Sequence, residues 1–213
     1  MAESLRAIAQ RYDTDKSTSK RFLDEYERHF AALSERPLRV LELGVFHGGS
    51  LLSWRDFFPQ SLIVGLDLSP CPLDPLPGRV RFYQGSQTDT ALLDRMSREC
   101  APDGWDIVID DASHIGRFTR DTFRGLFTRY LKPGGIYVIE DWGTGYWATW
   151  PDGRAYAPAA PQAPKLHWRL TRLIERLGLE RKKKVSPEFA AHNFGMVGFV
   201  KERAPRSSGR WKV

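Results

Sequence analysis

Apolar residues follow two different periods along this chain, and the two periods replace each other in turn. Near the start they recur every three to four positions, which predicts two helices before the first strand. These positions are Leu5, Ile8, Tyr12, Phe22, Tyr26, Phe30 and Leu33. Beyond them, short continuous aliphatic runs, typical of strands buried on both faces, alternate with segments of helical period.

The aliphatic runs and the segments between them define a series of predicted strands and helices. The predicted strands are residues 38–43, 62–66, 80–83, 105–109 and 135–139. The helices predicted between them are residues 48–58, 88–100 and 118–131. Because strand, helix and strand repeat in this way, we expect a parallel sheet with helices on both faces.

The regular period ends after Asp141. Residues 142–164 combine aromatic residues with prolines and glycines, and we predict an aromatic lid loop there; a surface loop that packs only its own rings is the alternative. Residues 166–177 return to helical period, and 189–200 predict two strands with a tight turn at 193–195. The expected fold is therefore α/β, with a Rossmann-like, doubly wound, mostly parallel seven-stranded sheet and a C-terminal antiparallel hairpin strand.

The length of 213 residues and a hydrophobic content of 41% favour one domain over residues 1–213. Within it we expect a helical N-terminal cap at 1–36 and a basic tail at 201–213. No signal-peptide pattern and no long apolar run occur, so we expect a cytoplasmic protein with no membrane partner. A homo-oligomer is left open. The two cysteines, Cys71 and Cys100, are expected to be ordinary packed thiols.

The net charge of +6 is unevenly distributed along the chain. The run Arg181-Lys182-Lys183-Lys184 contributes +4 and residues 201–213 contribute another +4, so the remainder carries −2. A short charge run is usually a solvated loop, and a basic tail is usually a frayed end. We therefore expect no nucleic-acid partner, although a nucleic-acid methyltransferase that grips phosphates with these two segments remains an alternative.

A glycine-rich turn in the segment ELGVFHGGS follows the first predicted strand and opens a helix. A dinucleotide-binding turn would have glycine where Phe46 stands, so a pyrophosphate at this helix end is not favoured. Asp67 ends the second strand, where an acid commonly accepts hydrogen bonds from a ribose diol. Turn and acid together indicate a nucleoside ligand without phosphates.

The motifs ELGVFHGGS, GLDLS, QGSQ and VIDDASH resemble, in order and interval, the class I S-adenosylmethionine-dependent methyltransferases over about residues 38–141. The resemblance implies that Glu42, Gly44 and Ser50 contact the amino-acid end of the cofactor and Asp67 its ribose. It implies further that Ser86 and Gln87 flank the adenine. The cofactor contacts expected in addition are Lys16, Phe46 and Asp111. Capping or turn roles are the alternatives for Glu42 and Gln87.

Two pairs of acids end neighbouring strands, Asp110-Asp111 after the fourth and Glu140-Asp141 after the fifth. The carboxyl ends of parallel strands meet at one edge of a sheet, so these acids crowd one crevice and require a cation. Hard oxygen donors without cysteine favour Mg²⁺ or a similar divalent ion. We predict Asp111, Glu140 and Asp141 as its ligands, because Asp110 alternates with Asp111 and faces the other way.

His114 follows Asp111 by three residues, which places an imidazole near a substrate oxygen held on the metal. A divalent ion lowers the pKa of a hydroxyl, and an imidazole with a pKa near 6.5 can then accept its proton. We predict His114 as the general base for attack on the sulfonium methyl. A structural histidine in a turn, and Glu140-Asp141 as a helix cap, are the alternatives.

A further resemblance is to the actinobacterial sugar O-methyltransferases, which methylate macrolide deoxysugars, rhamnosides and mannosides. The segments that carry it are the histidine in DDASH, the N-terminal YDTDKST, WRDFFP, and IEDW with the following Tyr146-Trp147. Asp13 stands where that family commonly has glycine. A compact chain of this kind also resembles the mycobacterial mannoside O-methyltransferases of methylmannose polysaccharide synthesis. The resemblance implies a sugar or glycoside substrate. A catechol-type O-methyltransferase and a binding module without catalysis are the other hypotheses.

Overall fold

The computed structural model describes residues 3–18, 20–147, 149–156 and 194–203, and these ranges contain five strands. The strands are β1 (Arg39–Leu43), β2 (Leu62–Asp67), β3 (Val80–Gln84), β4 (Trp105–Asp110) and β5 (Leu131–Ile139). They form one parallel sheet in the order β3-β2-β1-β4-β5. The predicted parallel sheet is confirmed, and the chain reverses its direction of strand addition between β1 and β4, where such sheets bind ligands.

Seven helices of α type accompany the sheet in the described ranges. They are α1 (Leu5–Ala9), α2 (Lys20–Phe30), α3 (Gly49–Phe57), α4 (Thr90–Cys100), α5 (Gly116–Arg129), α6 (Pro151–Tyr156) and α7 (Gly195–Arg203). Short 3-10 helices lie at Asp15–Thr18, Ala31–Leu33 and Trp142–Tyr146. Among the described residues, none of the helices combines the length and the apolar character needed to cross a bilayer.

The two faces of the sheet are covered by different helices, because successive side chains of a strand point to opposite faces. Val40 of β1 belongs to the apolar cluster that contains Leu23 of α2 and Trp54 of α3. Leu41, its neighbour, belongs to the cluster that contains Met96 of α4 and Leu126 of α5. This alternation confirms the prediction of helices on both faces and places Glu42 on the same face as α3.

The β5 strand is longer than the predicted 135–139. It begins at Leu131 and includes the segment Lys132-Pro133-Gly134-Gly135, whose proline and glycines are typical of a turn. The register slips between Trp105, which pairs with Leu131, and Ile107, which pairs with Ile136. The extra residues are accommodated as a bulge, so a turn-like sequence lies inside the strand.

The chain divides into two compact units, Met1–Asp141 and Trp142–Val213. The predicted C-terminal hairpin is wrong in its second strand, because Gly195–Arg203 is a helix. The carboxylate of Asp152 accepts a hydrogen bond from the backbone N–H of Met196, 2.7 Å away, and thereby caps the first turn. An apolar run of this length fits a strand or a helix equally well, and the cap comes from a residue distant in sequence.

The prediction of seven strands is therefore wrong for the residues that the structure describes, which form five. Within 142–164, the 3-10 helix Trp142–Tyr146 and α6 replace part of the expected loop, and the lid role stays a prediction. The predicted helix at 166–177, the first hairpin strand, the basic run 181–184 and most of the tail lie outside the described residues.

Candidate active site

A cavity of about 640 Å³ opens at the carboxyl edge of the sheet, beside the carboxyl ends of β1, β2 and β4. Its walls include all but one of the residues predicted to contact a cofactor, together with the predicted base. These lining residues are Lys16, Gly44, Phe46, Ser50, Asp67, Ser86, Gln87, Asp111 and His114. Glu42 is the exception, because it is fully buried behind the wall.

The glycine turn after β1 is held against the end of β4. Gly44 has φ +85°, and a Cβ on it would lie 2.2 Å from the carbonyl oxygen of Asp111. Only glycine permits this conformation together with so close an approach. A Cβ on Gly49, at the start of α3, would lie 2.0 Å from the carbonyl oxygen of Asp13, so the N-terminal segment is packed equally close to the turn.

Asp67, at the end of β2, organises the tip of the glycine turn. Its Oδ2 accepts hydrogen bonds from the backbone N–H groups of Val45, at 2.8 Å, and Phe46, at 3.2 Å, and its Oδ1 accepts one from Ser69. Partial burial raises the pKa of Asp67, but these backbone hydrogen bonds outweigh it and hold the pKa below its usual value. Asp67 is thus an ionised acceptor at the cavity wall.

Glu42 connects β1 to two residues on one face of α3. Its carboxylate accepts hydrogen bonds from the Ser50 hydroxyl, at 2.7 Å, and from the Trp54 indole, at 3.0 Å. Burial raises the pKa of Glu42 to about 7, although the charge of Lys16 and the two hydrogen bonds act in the opposite direction. Ser50 therefore faces the cavity with its hydroxyl tied to a buried acid.

The two acids at the end of β4 point to different sides, as strand alternation predicts. Asp110 is buried, and its carboxylate accepts hydrogen bonds from the amide of Gln87, at 3.2 Å, and from the hydroxyl of Tyr137, at 3.4 Å. Burial raises the pKa of Asp110 to about 7. Asp111 instead turns toward the N-terminal segment, where its Oδ2 lies 2.5 Å from Lys16 Nζ.

Lys16 is a buried cation that bridges two acids. Its Nζ lies 2.8 Å from Glu140 Oε1 as well as 2.5 Å from Asp111 Oδ2, and its side chain is only 4% exposed. Burial lowers the pKa of Lys16, but Glu140 and Asp111 outweigh it and raise the pKa well above the usual range. Tyr26 also donates a hydrogen bond to Glu140, whose pKa burial raises to about 6.

Three atoms that could bind a metal ion lie close together beside Lys16 and its two acids. His114 Nε2 lies 3.8 Å from Asp111 Oδ1 and 3.9 Å from Asp141 Oδ2, and the ligand atoms of the three residues all fall within 4.8 Å. Asp111 and Asp141 therefore offer carboxylate oxygens close enough together to hold one Mg²⁺ after small adjustments. Carboxylate oxygens are also the donors that Mg²⁺ prefers.

The loop that carries His114 has an unusual backbone. Ser113 and His114 have φ values of +46° and +50°, in the left-handed region that residues other than glycine seldom adopt. Burial lowers the pKa of His114, while the nearby carboxylates of Asp141 and Glu140 oppose this effect. The imidazole is therefore largely neutral at neutral pH and can accept a proton.

Sequence reasoning missed several members of the site. Tyr26 reads as one more apolar position of a helix, and nothing in its spacing indicates a contact with Glu140. Asp13 Oδ2 lies 2.9 Å from His47 Nδ1 at the cavity wall, although the two residues are far apart in sequence. Ser113 stands out in the sequence only as part of the DDASH motif, yet its hydroxyl donates a hydrogen bond to the side-chain oxygen of Gln87.

Comparison with known proteins extends the similarity noted in the motifs. No protein-family model matches the chain. Mycinamicin VI 2''-O-methyltransferase of Micromonospora griseorubida is 43% identical over 152 residues, which cover 67% of this chain and 37% of the relative. A rhamnosyl-tetracenomycin-C 3'-O-methyltransferase of Streptomyces olivaceus is 43% identical over 148 residues, which cover 65% of this chain and 37% of the relative.

A solved structure shows the same arrangement of elements. The MycE methyltransferase of the mycinamycin biosynthetic pathway, solved in complex with Mg and SAH, aligns with a TM-score of 0.66 and 36% identity. The alignment covers 83% of this chain and 50% of the MycE chain, so the chain spans about half the length of this neighbour. The resemblance indicated by the motifs is confirmed: the chain is related in sequence and in fold to the sugar O-methyltransferases of macrolide and tetracenomycin biosynthesis.

Proposed function

We propose that this chain is an S-adenosylmethionine- and Mg²⁺-dependent O-methyltransferase that methylates a hydroxyl group of a sugar in a glycoside. The observation that carries the proposal is the meeting of Asp111, His114 and Asp141 at the edge of a cavity formed by a glycine turn and Asp67. A methyltransferase needs a cavity for the methyl donor beside the residues that would bind and deprotonate the acceptor hydroxyl.

The cofactor would bind along the wall formed by the ends of β1, β2 and β3. Gly44 holds the turn against Asp111 at the cavity wall, where Asp67 would accept hydrogen bonds from the ribose diol and Ser86 and Gln87 would lie beside the adenine. Ser50, supported by Glu42, would hold the amino-acid end. S-adenosylmethionine supplies a methyl group activated by its positive sulfur.

The acids at the ends of β4 and β5 would hold the metal. Asp111 Oδ1 and Asp141 Oδ2 lie 3.8 Å and 3.9 Å from His114 Nε2, close enough together to hold one ion, and Glu140 would be the third ligand. The contacts of Glu140 with Lys16 and Tyr26 both fall on its Oε1, which leaves Oε2 to serve as the donor atom. A bound Mg²⁺ lowers the pKa of a hydroxyl and orients it.

His114 would accept the proton of the substrate hydroxyl at Nε2. The His114 side chain is 16% exposed. Its lowered pKa keeps the imidazole neutral, so the ring can act as a base at neutral pH. The left-handed backbone at Ser113 and His114 sets the direction in which the Cα–Cβ bond of His114 leaves the loop.

A sugar is the substrate class that the relatives support, because those found here are named for mycinamicin VI and for a rhamnosyl tetracenomycin. Two neighbouring hydroxyls of a pyranose can also chelate one metal ion. A mannoside of polysaccharide synthesis is a narrower expectation within the same class. The relatives' names favour a glycoside of a polyketide over it.

The proposal is tested by calorimetric titration with S-adenosylmethionine, with and without Mg²⁺, followed by methyl transfer to a panel of rhamnosides, mannosides and a catechol. We expect cofactor binding and methylation of a glycoside that EDTA abolishes and added Mg²⁺ restores. Activity on the catechol equal to or above that on any glycoside would contradict the sugar assignment. Retained activity in EDTA would contradict the metal assignment.

A further inference from the structure

Lys16 contacts two of the acids that we propose as metal ligands. Its ammonium lies 2.5 Å from Asp111 Oδ2 and 2.8 Å from Glu140 Oε1, inside a region where the three side chains are at most 15% exposed. A buried ammonium is costly unless carboxylates pair with it, and unpaired carboxylates are equally costly. The three groups therefore fix one another's positions.

Asp111 presents its two oxygens to two different partners. Oδ2 contacts Lys16, whereas Oδ1 faces His114 Nε2 and, beyond it, Asp141. A fixed positive charge thus lies on one side of the Asp111 carboxylate, and the candidate cation site lies on the other. Because the Lys16 and Asp111 side chains are largely shielded from water, two positive charges that share the Asp111 carboxylate repel each other more than they would in bulk water.

We propose that Lys16 is a positioning residue that holds Asp111 and Glu140 in place and whose charge limits the affinity of the site for divalent cations. This inference rests on the proposed function, because it concerns the same metal site. It also assigns Lys16 a role that differs from cofactor contact, the role its motif implies. Lys16 holds the two acids in position before a metal ion binds. The positive charge of Lys16 also repels the divalent cation that binds the same acids.

The charge role and a purely structural role have opposite consequences for metal binding. If Lys16 only kept the acids in position, its removal would loosen them and weaken cation binding. If its charge opposes the cation, a neutral side chain of similar length should strengthen binding despite some loss of order. The sign of the change in cation affinity therefore separates the two roles.

The experiment is a titration of the full chain with Mn²⁺, in which electron paramagnetic resonance reports the free ion. The variants are Lys16→Met and Lys16→Gln, which are neutral, and Lys16→Arg, which keeps the charge. Lys132→Met is the matched control, because Lys132 forms a 2.9 Å ion pair with Asp106 at the other end of β4. Lys16→Gln retains a hydrogen-bond donor for the acids and serves if Lys16→Met does not fold.

We expect the neutral variants to bind Mn²⁺ roughly tenfold more tightly than the wild type. They should also gain more in melting temperature when Mn²⁺ is added, while Lys132→Met should bind as the wild type does and Lys16→Arg should bind no more tightly than the wild type. Unchanged or weaker binding in both neutral variants would overturn the inference and leave the metal site intact. No Mn²⁺ binding by the wild type would overturn the metal site and this inference together.

Discussion

The side-chain amide of Gln87 joins Asp110 to Ser113, because its nitrogen donates to Asp110 Oδ1 over 3.2 Å and its oxygen accepts from the Ser113 hydroxyl. The backbone carbonyl of Gln87 also accepts a hydrogen bond from Thr122 of α5. One nearly buried residue thus ties the end of β4 to the strained segment that carries His114. We therefore expect the direction of the proposed base to depend on this connection.

Replacing Gln87 by leucine should therefore lower kcat more than it weakens cofactor binding. Leucine fills similar space but leaves Asp110 and Ser113 without their shared partner, so the imidazole can move away from its position. We expect a fall in kcat of about 10- to 100-fold, the range typical of a displaced catalytic group. Steady-state kinetics and calorimetry measure the two effects separately, with the exposed Gln60→Leu as the control. A change confined to cofactor affinity would assign Gln87 to adenine recognition alone.

Replacing Gly44 by alanine should damage the glycine turn itself. The new Cβ would lie 2.2 Å from a backbone oxygen of Asp111 in a left-handed conformation, so the turn or the end of β4 has to move. We expect a loss of about 2 kcal/mol or more in the free energy of unfolding, and cofactor binding too weak to detect. Gly78→Ala is the control, because nothing lies within 4 Å of its added Cβ. Equal stability and affinity in the two variants would contradict this account of the turn.

Glu42 should make the free energy of unfolding depend on pH in a characteristic direction. Its pKa is raised to about 7 in the folded protein, against 4.5 for an ordinary glutamate, so the folded state favours the protonated form. Stability from this group is present below pH 4.5 and is lost as the pH rises toward 7. The wild type should lose about 3 kcal/mol relative to Glu42→Gln between these limits. Urea unfolding at pH 4.5, 6 and 8 measures the difference, and parallel curves would contradict it.

The neighbouring acids Asp110 and Asp111 should respond differently to conversion into asparagine. Asp111→Asn removes a proposed metal ligand, and we expect Mn²⁺ affinity to fall at least about tenfold. Asp110→Asn replaces a buried carboxyl group whose pKa, raised to about 7, makes its neutral form accessible at neutral pH, and it keeps an oxygen for the Gln87 amide. Its Mn²⁺ affinity should stay within about twofold of the wild type, since it alters only the neighbour of a ligand. A larger loss in Asp110→Asn than in Asp111→Asn would reverse the assignment of the metal ligand.

The sequence predicted most of the sheet because its strands are short aliphatic runs that only a parallel α/β arrangement can bury. It also placed the glycine turn, Asp67 and His114 at one edge, since strand ends of a parallel sheet share that edge. The prediction of a hairpin is wrong for a physical reason, because Asp152, which caps the start of α7, lies more than forty positions away in sequence. Lys16 was associated with the cofactor by its motif, whereas its contacts with Asp111 and Glu140 depend on how the N-terminal segment packs.

The most direct test of the account is the comparison of His114→Ala with the wild type in methyl transfer to a glycoside, with S-adenosylmethionine affinity measured on the same samples. Because His114 is proposed to accept the hydroxyl proton, kcat should fall about 10²- to 10⁴-fold. Cofactor affinity should stay near that of the wild type, since Gly44, Ser50 and Asp67 are unchanged. Unchanged turnover in His114→Ala would contradict the central claim.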